Sequence, residues 1–361
     1  MKKILHSADI HLSLKEKEYS LSVLSEIINV ANQNEVNILL LSGDTFDTFD
    51  ELVALAEEFK KTIKTLHNRC EVFLLAGNHE DLKRNGRNIS SYDLGIPIDN
   101  IIDTDSAPYR LIEREYLEIL AIPHQKQYGN YTEWKIPPKQ KLRIAMVHAL
   151  NNDLSFTGVD DEEEKTSVMD SDLFIRFNVD YAAFGHIHKT IEKQIGNTIM
   201  AYPGSPRVWR KDESGAKFVY LLESSQPVSF TKIVIASAGE YKRYKINVAL
   251  NGRPEIDLEP ISKEWTKNDW IWLDFEGLIE EMETFNNFKK EIMRKYEPQV
   301  RKLDCNVTDI KTCANISSQE IARKFLEIWE TKKPADLGDE MKAWEKARSI
   351  GLSKIEQSLI Q

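Results

Sequence analysis

Apolar residues fall in short continuous runs over the first third of the chain, and each run stops abruptly at a polar turn. Residues 2–8, Ile38–Leu41 and Val72–Ala76 read as buried strands, since brief apolar runs closed by turn signals suit a sheet covered on both faces. Between them, 17–34 places Leu21, Leu24, Ile27, Ile28 and Ala31 on one helical face, and 50–67 does the same with Leu52, Leu55, Phe59 and Ile63. Strand and helix alternating at this interval predict right-handed βαβ units on a parallel sheet. Further strands are expected at Tyr116–Ala121, Ile144–Val147 and Tyr181–Phe184, with a charged helix at 163–177 before the last. After Gly185 the pattern changes to short strands and turns, including Tyr202-Pro203-Gly204-Ser205-Pro206 and Phe218–Leu222. That run reads as antiparallel pairing on the far side of a two-sheet core.

Near residue 236 the character shifts. Tyr244, Ile246, Val248 and Leu250 alternate, as do Ile271, Leu273 and Phe275 and then Leu303, Cys305 and Val307, with a helix predicted over 278–296. This describes a small α+β domain appended to the first. The last segment is helical: Ser317 and Glu320 make a capping-box pattern ahead of Ile321, Phe325, Ile328 and Trp329, and Pro334 stops that helix. A second helix carries Leu337, Met341, Trp344, Leu352, Ile355 and Leu359. The boundaries expected are 1–235, 236–312 and 313–361.

Composition narrows the class. Hydrophobic residues at 41% and charged ones at 29% describe an ordinary globular chain. With 48 Lys+Arg against 58 Asp+Glu, a net charge of −10 excludes indiscriminate coating of nucleic acid but not a local basic path. Cys70, Cys305 and Cys313 are odd in number and not at zinc spacing, so neither disulfides nor a zinc knuckle is expected. The Met1-Lys2-Lys3 start meets Asp9 too early for a secretory leader, and no stretch has the roughly 20 apolar residues that cross a bilayer, so no membrane association and a cytoplasmic location are expected.

What the strands end in carries the chemistry. Asp9-Ile10-His11, Gly43-Asp44-Thr45-Phe46-Asp47, Gly77-Asn78-His79-Glu80, His148 and Gly185-His186-Ile187-His188 all stand at turns, most of them closing an apolar run. In an open α/β sheet, active sites collect at such strand ends. Asp9, His11, Asp44, Asn78, His148, His186 and His188 offer mixed oxygen and nitrogen donors, enough for two divalent metals if one carboxylate bridges. Asp44 is the best bridging candidate because Gly43 lets the backbone turn sharply. Two metals would clamp a phosphate and lower the pKa of a shared water, with His79 free to stabilise the pentavalent phosphorus or protonate the leaving oxygen. A single Gly-His-x-His could be accidental; with four companion motifs it reads as metal binding. Asp47 could orient a ligand imidazole or touch substrate, His6 reads as a core residue or a support behind a ligand, His124 as a core residue, and His67 as a solvated helix end. Lys83, Arg84 and Arg87 follow one metal turn, and Arg207, Arg210 and Lys211 follow the Gly-Ser-Pro turn, so both clusters are candidate phosphate-backbone contacts.

Asp-x-His, Gly-Asp-x-x-Asp, Gly-Asn-His-(Asp/Glu), a lone His after a strand, and Gly-His-x-His, in this order, resemble the calcineurin-like metallophosphoesterase superfamily over roughly residues 1–235. Within it, Ser7-Ala8-Asp9-Ile10-His11-Leu12, Gly43-Asp44-Thr45-Phe46-Asp47, Ile122-Pro123-His124 and Tyr202-Pro203-Gly204-Ser205-Pro206 are similar to the SbcD nuclease branch. The resemblance implies a four-layer core of two packed β-sheets flanked by helices, with one metal on Asp9, His11, Asp44 and His188 and a second on Asp44, Asn78, His148 and His186. It also implies His79 as the catalytic histidine, manganese as the supporting metal, and a Mn-dependent DNA exonuclease with possible endonuclease activity. A DNA-capping domain, C-terminal helices that bind an SbcC-like coiled-coil ATPase, and a homodimer complete the expectation. The alternative is a metallophosphoesterase acting on a small phosphodiester, a nucleotide or a phosphoprotein. Two departures stand out: the family usually has Asp where Glu80 stands, and archaeal and eukaryotic members carry His at the position of Asp47.

Overall fold

A computed structural model describes residues 2–80, 86–126, 128–154, 168–211, 213–225, 227–312, 320–333 and 341–359. The chain divides into two compact units, Met1–Glu240 and Tyr241–Gln361. In the first, β1 (Lys3–Ser7), α1 (Lys17–Gln33), β2 (Ile38–Ser42), α2 (Phe49–Ile63) and β3 (Glu71–Leu75) make the expected βαβαβ succession, all three strands parallel. The Thr48 hydroxyl accepts the Glu51 N–H and so fixes the start of α2. Alternation divides each strand between two cores: Leu39, Leu41, Val72 and Leu74 pack on α1 and α2, while Ile38, Leu40, Phe73 and Leu75 face the second sheet. β4 (Ile101–Ile102) closes one edge.

The second sheet holds β5 (Arg110–Glu113), β6 (Leu117–Ile122) and β7 (Leu142–His148). After a small two-stranded ribbon of β8 (Leu150–Asn151) and β9 (Val168–Met169), α3 (Asp172–Arg176) leads to β10 (Tyr181–Gly185), β11 (Ile191–Ile195) and β12 (Thr198–Tyr202). β6, β7, β10 and β12 run parallel, with β5 and β11 antiparallel at the edges. Ile119, Ile144, Met146, Tyr181 and Ala183 fill the space between the sheets, and Val147, Phe174, Phe184 and Tyr202 cover the outer face. The result is the four-layer arrangement expected.

Two expectations are corrected. The helix placed at 163–177 is only Asp172–Arg176; residues 168–169 are strand, and 163–167 lie outside the described residues. The run after Gly185 is split between sheets: β11 and β12 stay on the second, whereas β13 (Phe218–Glu223) and β14 (Ser229–Val234) return to the first, with β13 antiparallel to β1.

The second unit contains β15 (Tyr241–Asn247), α4 (Glu259–Ser262), β16 (Trp270–Ile279), α5 (Met282–Tyr296) and β17 (Lys302–Thr312), its three strands paired in parallel. Leu278 and Ile279, expected to open the helix, end β16 instead. Ile246, Ile271, Leu273, Phe275, Phe285 and Leu303 form its core. Two helices follow, α6 (Glu320–Thr331) and α7 (Met341–Leu359), with the Trp329 and Trp344 rings 4.3 Å apart. Cys313, Ser317, Pro334 and Leu337 lie outside the described residues. No helix among the described residues is long and apolar enough to cross a membrane.

Candidate metal centre

The C-terminal ends of β1, β2, β3, β7 and β10 deliver all five motif turns to one place. The turns after β1 and β2 are zipped together by backbone bonds from Asp9 N–H to Gly43 O and from His11 N–H to Asp44 O, both 3.0 Å. A third turn is tied on by Glu80, a buried carboxylate that accepts the backbone N–H groups of Asp44 (3.1 Å), Phe46 (2.8 Å) and Gly77 (2.9 Å). Burial and the neighbouring Asp44 charge raise its carboxyl to about 7, against the lowering effect of those N–H groups. From the second sheet, the His186 N–H donates to Asp9 Oδ1 at 2.8 Å, and His148 Nδ1 donates to Ser42 O at 2.9 Å.

Close approach leaves no room for side chains at the glycines. A Cβ on Gly43 would stand 2.0 Å from His148 Nδ1, and one on Gly77 would stand 2.1 Å from Asp44 Oδ1. Strain concentrates here as well. Asp9 (φ 54°), His11 (φ 48°), Asp44 (φ 50°) and His186 (φ 96°) all have positive φ. Each such residue costs on the order of 1–3 kcal/mol, a cost that persists only where surrounding structure enforces it and that clusters at functional sites.

Among the described residues, three groups of donor atoms each lie within 4.8 Å of one another: Asp9, His11 and His188; His11, Asp44 and His79; and Asp44, His148 and His186. Asn78 joins the third, its Oδ1 standing 3.0 Å from His148 Nε2 and 3.2 Å from His186 Nδ1. Asp44 belongs to two groups, with Oδ2 at 3.2 Å from His148 Nε2 and 3.9 Å from His11 Nε2. All seven sequence-derived ligands are thus gathered, with Asp44 at the centre.

The donors fit divalent cations. His11 Nε2 and His188 Nε2 face each other at 3.0 Å, and the buried His186 Nε2 has no hydrogen-bond partner in the structure. Imidazole nitrogens turned on one another beside two carboxylates and an amide oxygen suit manganese, iron or zinc. Burial opposes ionisation of Asp44, but His148, His79 and His11 outweigh it and hold the carboxyl well below its usual range.

His79 shares the second donor group with His11 and Asp44 and is anchored at the edge of the cluster. Its Nδ1 meets the Asp47 carbonyl at 2.5 Å, its N–H donates to Asp44 Oδ1 at 3.0 Å, and its Nε2 is 3.9 Å from Asp44 Oδ2. Asp47 places Oδ1 3.3 Å from His11 Nδ1, on the side of that imidazole away from the cluster's Nε2 atoms. His6 is a core residue, its Nδ1 3.0 Å from the Tyr181 hydroxyl. His124 is buried as expected, but next to the cluster, with ring centroids 6.1 Å from His148 and 6.4 Å from His186.

Arg207 is a correction. Expected to touch a phosphate backbone, its side chain is fully buried and donates to Ile10 O (2.9 Å), His11 O (2.7 Å) and Glu16 (2.8 Å). It braces the turn that carries His11. Arg210 and Arg87 are exposed, the former with its guanidinium 4.3 Å from the Trp209 ring. Lys83 and Arg84 lie outside the described residues.

Two residues beside the cluster escape the sequence. Trp209 stacks on His11 with ring centroids 4.0 Å apart and planes at 7°. Glu213 accepts from His188 Nδ1 at 2.7 Å. No motif announces either one.

Comparison with known proteins agrees with this geometry. The family model of calcineurin-like phosphoesterases matches residues 2–190. The DNA double-strand break repair protein Mre11 of Thermoplasma acidophilum is 23% identical over 378 aligned positions, covering 94% of this chain and 96% of that protein. The SbcD component of the nuclease SbcCD of Bacillus subtilis is 23% identical over 313 positions, covering 75% and 78%. Since the family match takes in more than half of the sequence and all five motif turns, the chain belongs to the calcineurin-like phosphoesterases.

Proposed function

We propose that this phosphoesterase is a manganese-dependent DNA nuclease, the hydrolytic component of an SbcCD-like double-strand-break repair complex. The observation that carries the reading is the convergence of seven donor side chains about Asp44 with His79 alongside. The similarity to a repair protein over 94% of the chain, well past the phosphoesterase core, adds to it.

Asp9, His11, Asp44 and His188 would hold one ion, and Asp44, Asn78, His148 and His186 the other. Bound there, a pair of divalent ions supplies Lewis-acid charge to the phosphodiester and an activated water at neutral pH. The protein's own part is orientation and proton transfer. His148 keeps its ring fixed through Ser42 O. His79, anchored through Nδ1 to Asp47 O, presents Nε2 to the cluster, where it hands a proton to the departing 3′ oxygen. Arg210, Arg87, Lys83 and Arg84 would meet the phosphate backbone. Residues 236–312 would cap the DNA. Ile321, Ile328 and Ile350, each more than half exposed on α6 and α7, would dock on the coiled coil of an ATPase partner within a dimeric assembly.

The test is an assay of the purified chain with manganese on linear duplex, hairpin DNA and a chromogenic phosphodiester. Cleavage of DNA that His79→Ala abolishes while bound metal is retained supports the reading. Turnover of the chromogenic ester alone would reassign the chain to small phosphodiesters.

A further inference from the structure

One half of the donor cluster is walled by residues 207–211 and 213–217. Glu213, with its side chain 11% exposed, has three partners there: His188 Nδ1 at 2.7 Å, the Trp209 backbone N–H at 2.9 Å, and the buried Lys217 ammonium at 3.6 Å. With Nδ1–H committed to this carboxylate, His188 is fixed in the tautomer whose Nε2 lone pair points at His11 Nε2. Trp209 acts on the second imidazole. Its indole lies flat on His11, and the edges of His188 and His79 abut it at 4.9 Å and 5.7 Å. A stacked ring of this size prevents rotation of His11 out of the cluster.

The other half is supported differently. His148 is held by the carbonyl of Ser42, the last residue of β2, so its brace is the sheet itself. Resting on the two-ion reading above, we infer that Trp209 and Glu213 form a clamp for one ion position alone, that of Asp9, His11, Asp44 and His188. Glu213 is a positioning residue for His188: its negative charge, kept beside Lys217, strengthens the imidazole as a donor. Trp209 positions His11. The two ion positions therefore differ in how they are braced, one by the sheet ends and one by side chains of a separate loop.

Calorimetric titration of the metal-free full chain with Mn²⁺, read together with the spin-coupled manganese signal in electron paramagnetic resonance, tests this. Wild type takes up two ions. Glu213→Ala weakens one of them about 10–100-fold, the usual effect of losing such a supporting group, and leaves the other unchanged. At metal levels that fill only the stronger position, the coupled signal gives way to that of an isolated ion. Glu213→Gln, whose amide oxygen still accepts from His188, weakens the same ion less. Trp209→Ala reproduces the selective loss independently of the Glu213 variants, and Trp209→Phe restores part of it. Two undisturbed ions in Glu213→Ala, or equal weakening of both, overturns the clamp while the two-ion reading stands. Fewer than two ions in wild type overturns the reading beneath it.

Discussion

Glu80→Ala removes the knot that ties the turn after β2 to the turn after β3. The deletion leaves the backbone N–H groups of Asp44, Phe46 and Gly77 without their acceptor in a buried place. An orphaned buried donor costs about 1–3 kcal/mol, so with a water entering the space to satisfy one of the three, the loss is about 4 kcal/mol. For a unit of this size that lowers Tm by about 8–16 °C. Glu80→Gln separates the causes. Its amide oxygen can take the place of Oε2, which serves Asp44 and Gly77, but its NH₂ then meets the Phe46 N–H and leaves one donor unpaired. A loss of about 1–3 kcal/mol is expected for that variant. Thermal melting of metal-free protein, followed by the transition of the first unit, provides the assay. The order wild type, Gln, Ala supports the account; a loss below about 1 kcal/mol for Glu80→Ala, or Gln as damaging as Ala, would refute it.

Arg143 is fully buried and bonded to Glu118 (2.8 Å), Phe177 O (2.8 Å) and Pro137 O (2.9 Å). Arg143→Ala, which leaves Glu118 an unpaired buried charge, should cost about 3–5 kcal/mol in a urea titration without changing metal uptake. In the second unit, burial works against the Asp274 carboxylate, but hydrogen bonds from Arg243, Asn306 and Trp272 outweigh it and lower its pKa to about 2 from 3.8. A depressed folded-state pKa stabilises the fold above the unfolded value, so this contribution is lost as pH falls from about 4 to about 2. Tryptophan fluorescence should register an acid transition in that window, which Asp274→Asn removes. Arg207 and Arg210 should separate cleanly: Arg210→Ala weakens DNA binding and reduces its salt slope by about 1, whereas Arg207→Ala lowers the melting temperature.

The ligand turns are legible in the sequence because each lies immediately after a strand, so an apolar run followed by a donor residue states both where the chain is buried and what it presents. Asp9, Asp44, Asn78 and His186 follow that rule, and His148 is itself the last residue of β7. The long βαβ succession is readable for the same reason. Elements that depend on distant partners are not. Arg207 and Arg210 look alike in sequence; what distinguishes them is that Arg207 lies over the carbonyls of Ile10 and His11, nearly two hundred residues earlier. Glu213 meets His188 from a loop 25 residues away, with no fixed spacing to reveal it. Which sheet β13 joins is equally hidden, because alternation reports that a strand has a buried face but not its neighbour or direction. His124 shows a related gap: its sequence context predicts burial but not its place beside His148 and His186.

Anomalous diffraction at the manganese edge, from crystals grown with Mn²⁺, addresses the central claim most directly. Two peaks about 3.5–4 Å apart are predicted, bridged by Asp44, one bounded by Asp9, His11 and His188 and the other by Asn78, His148 and His186. A single peak at saturation, or two peaks without Asp44 between them, would contradict it.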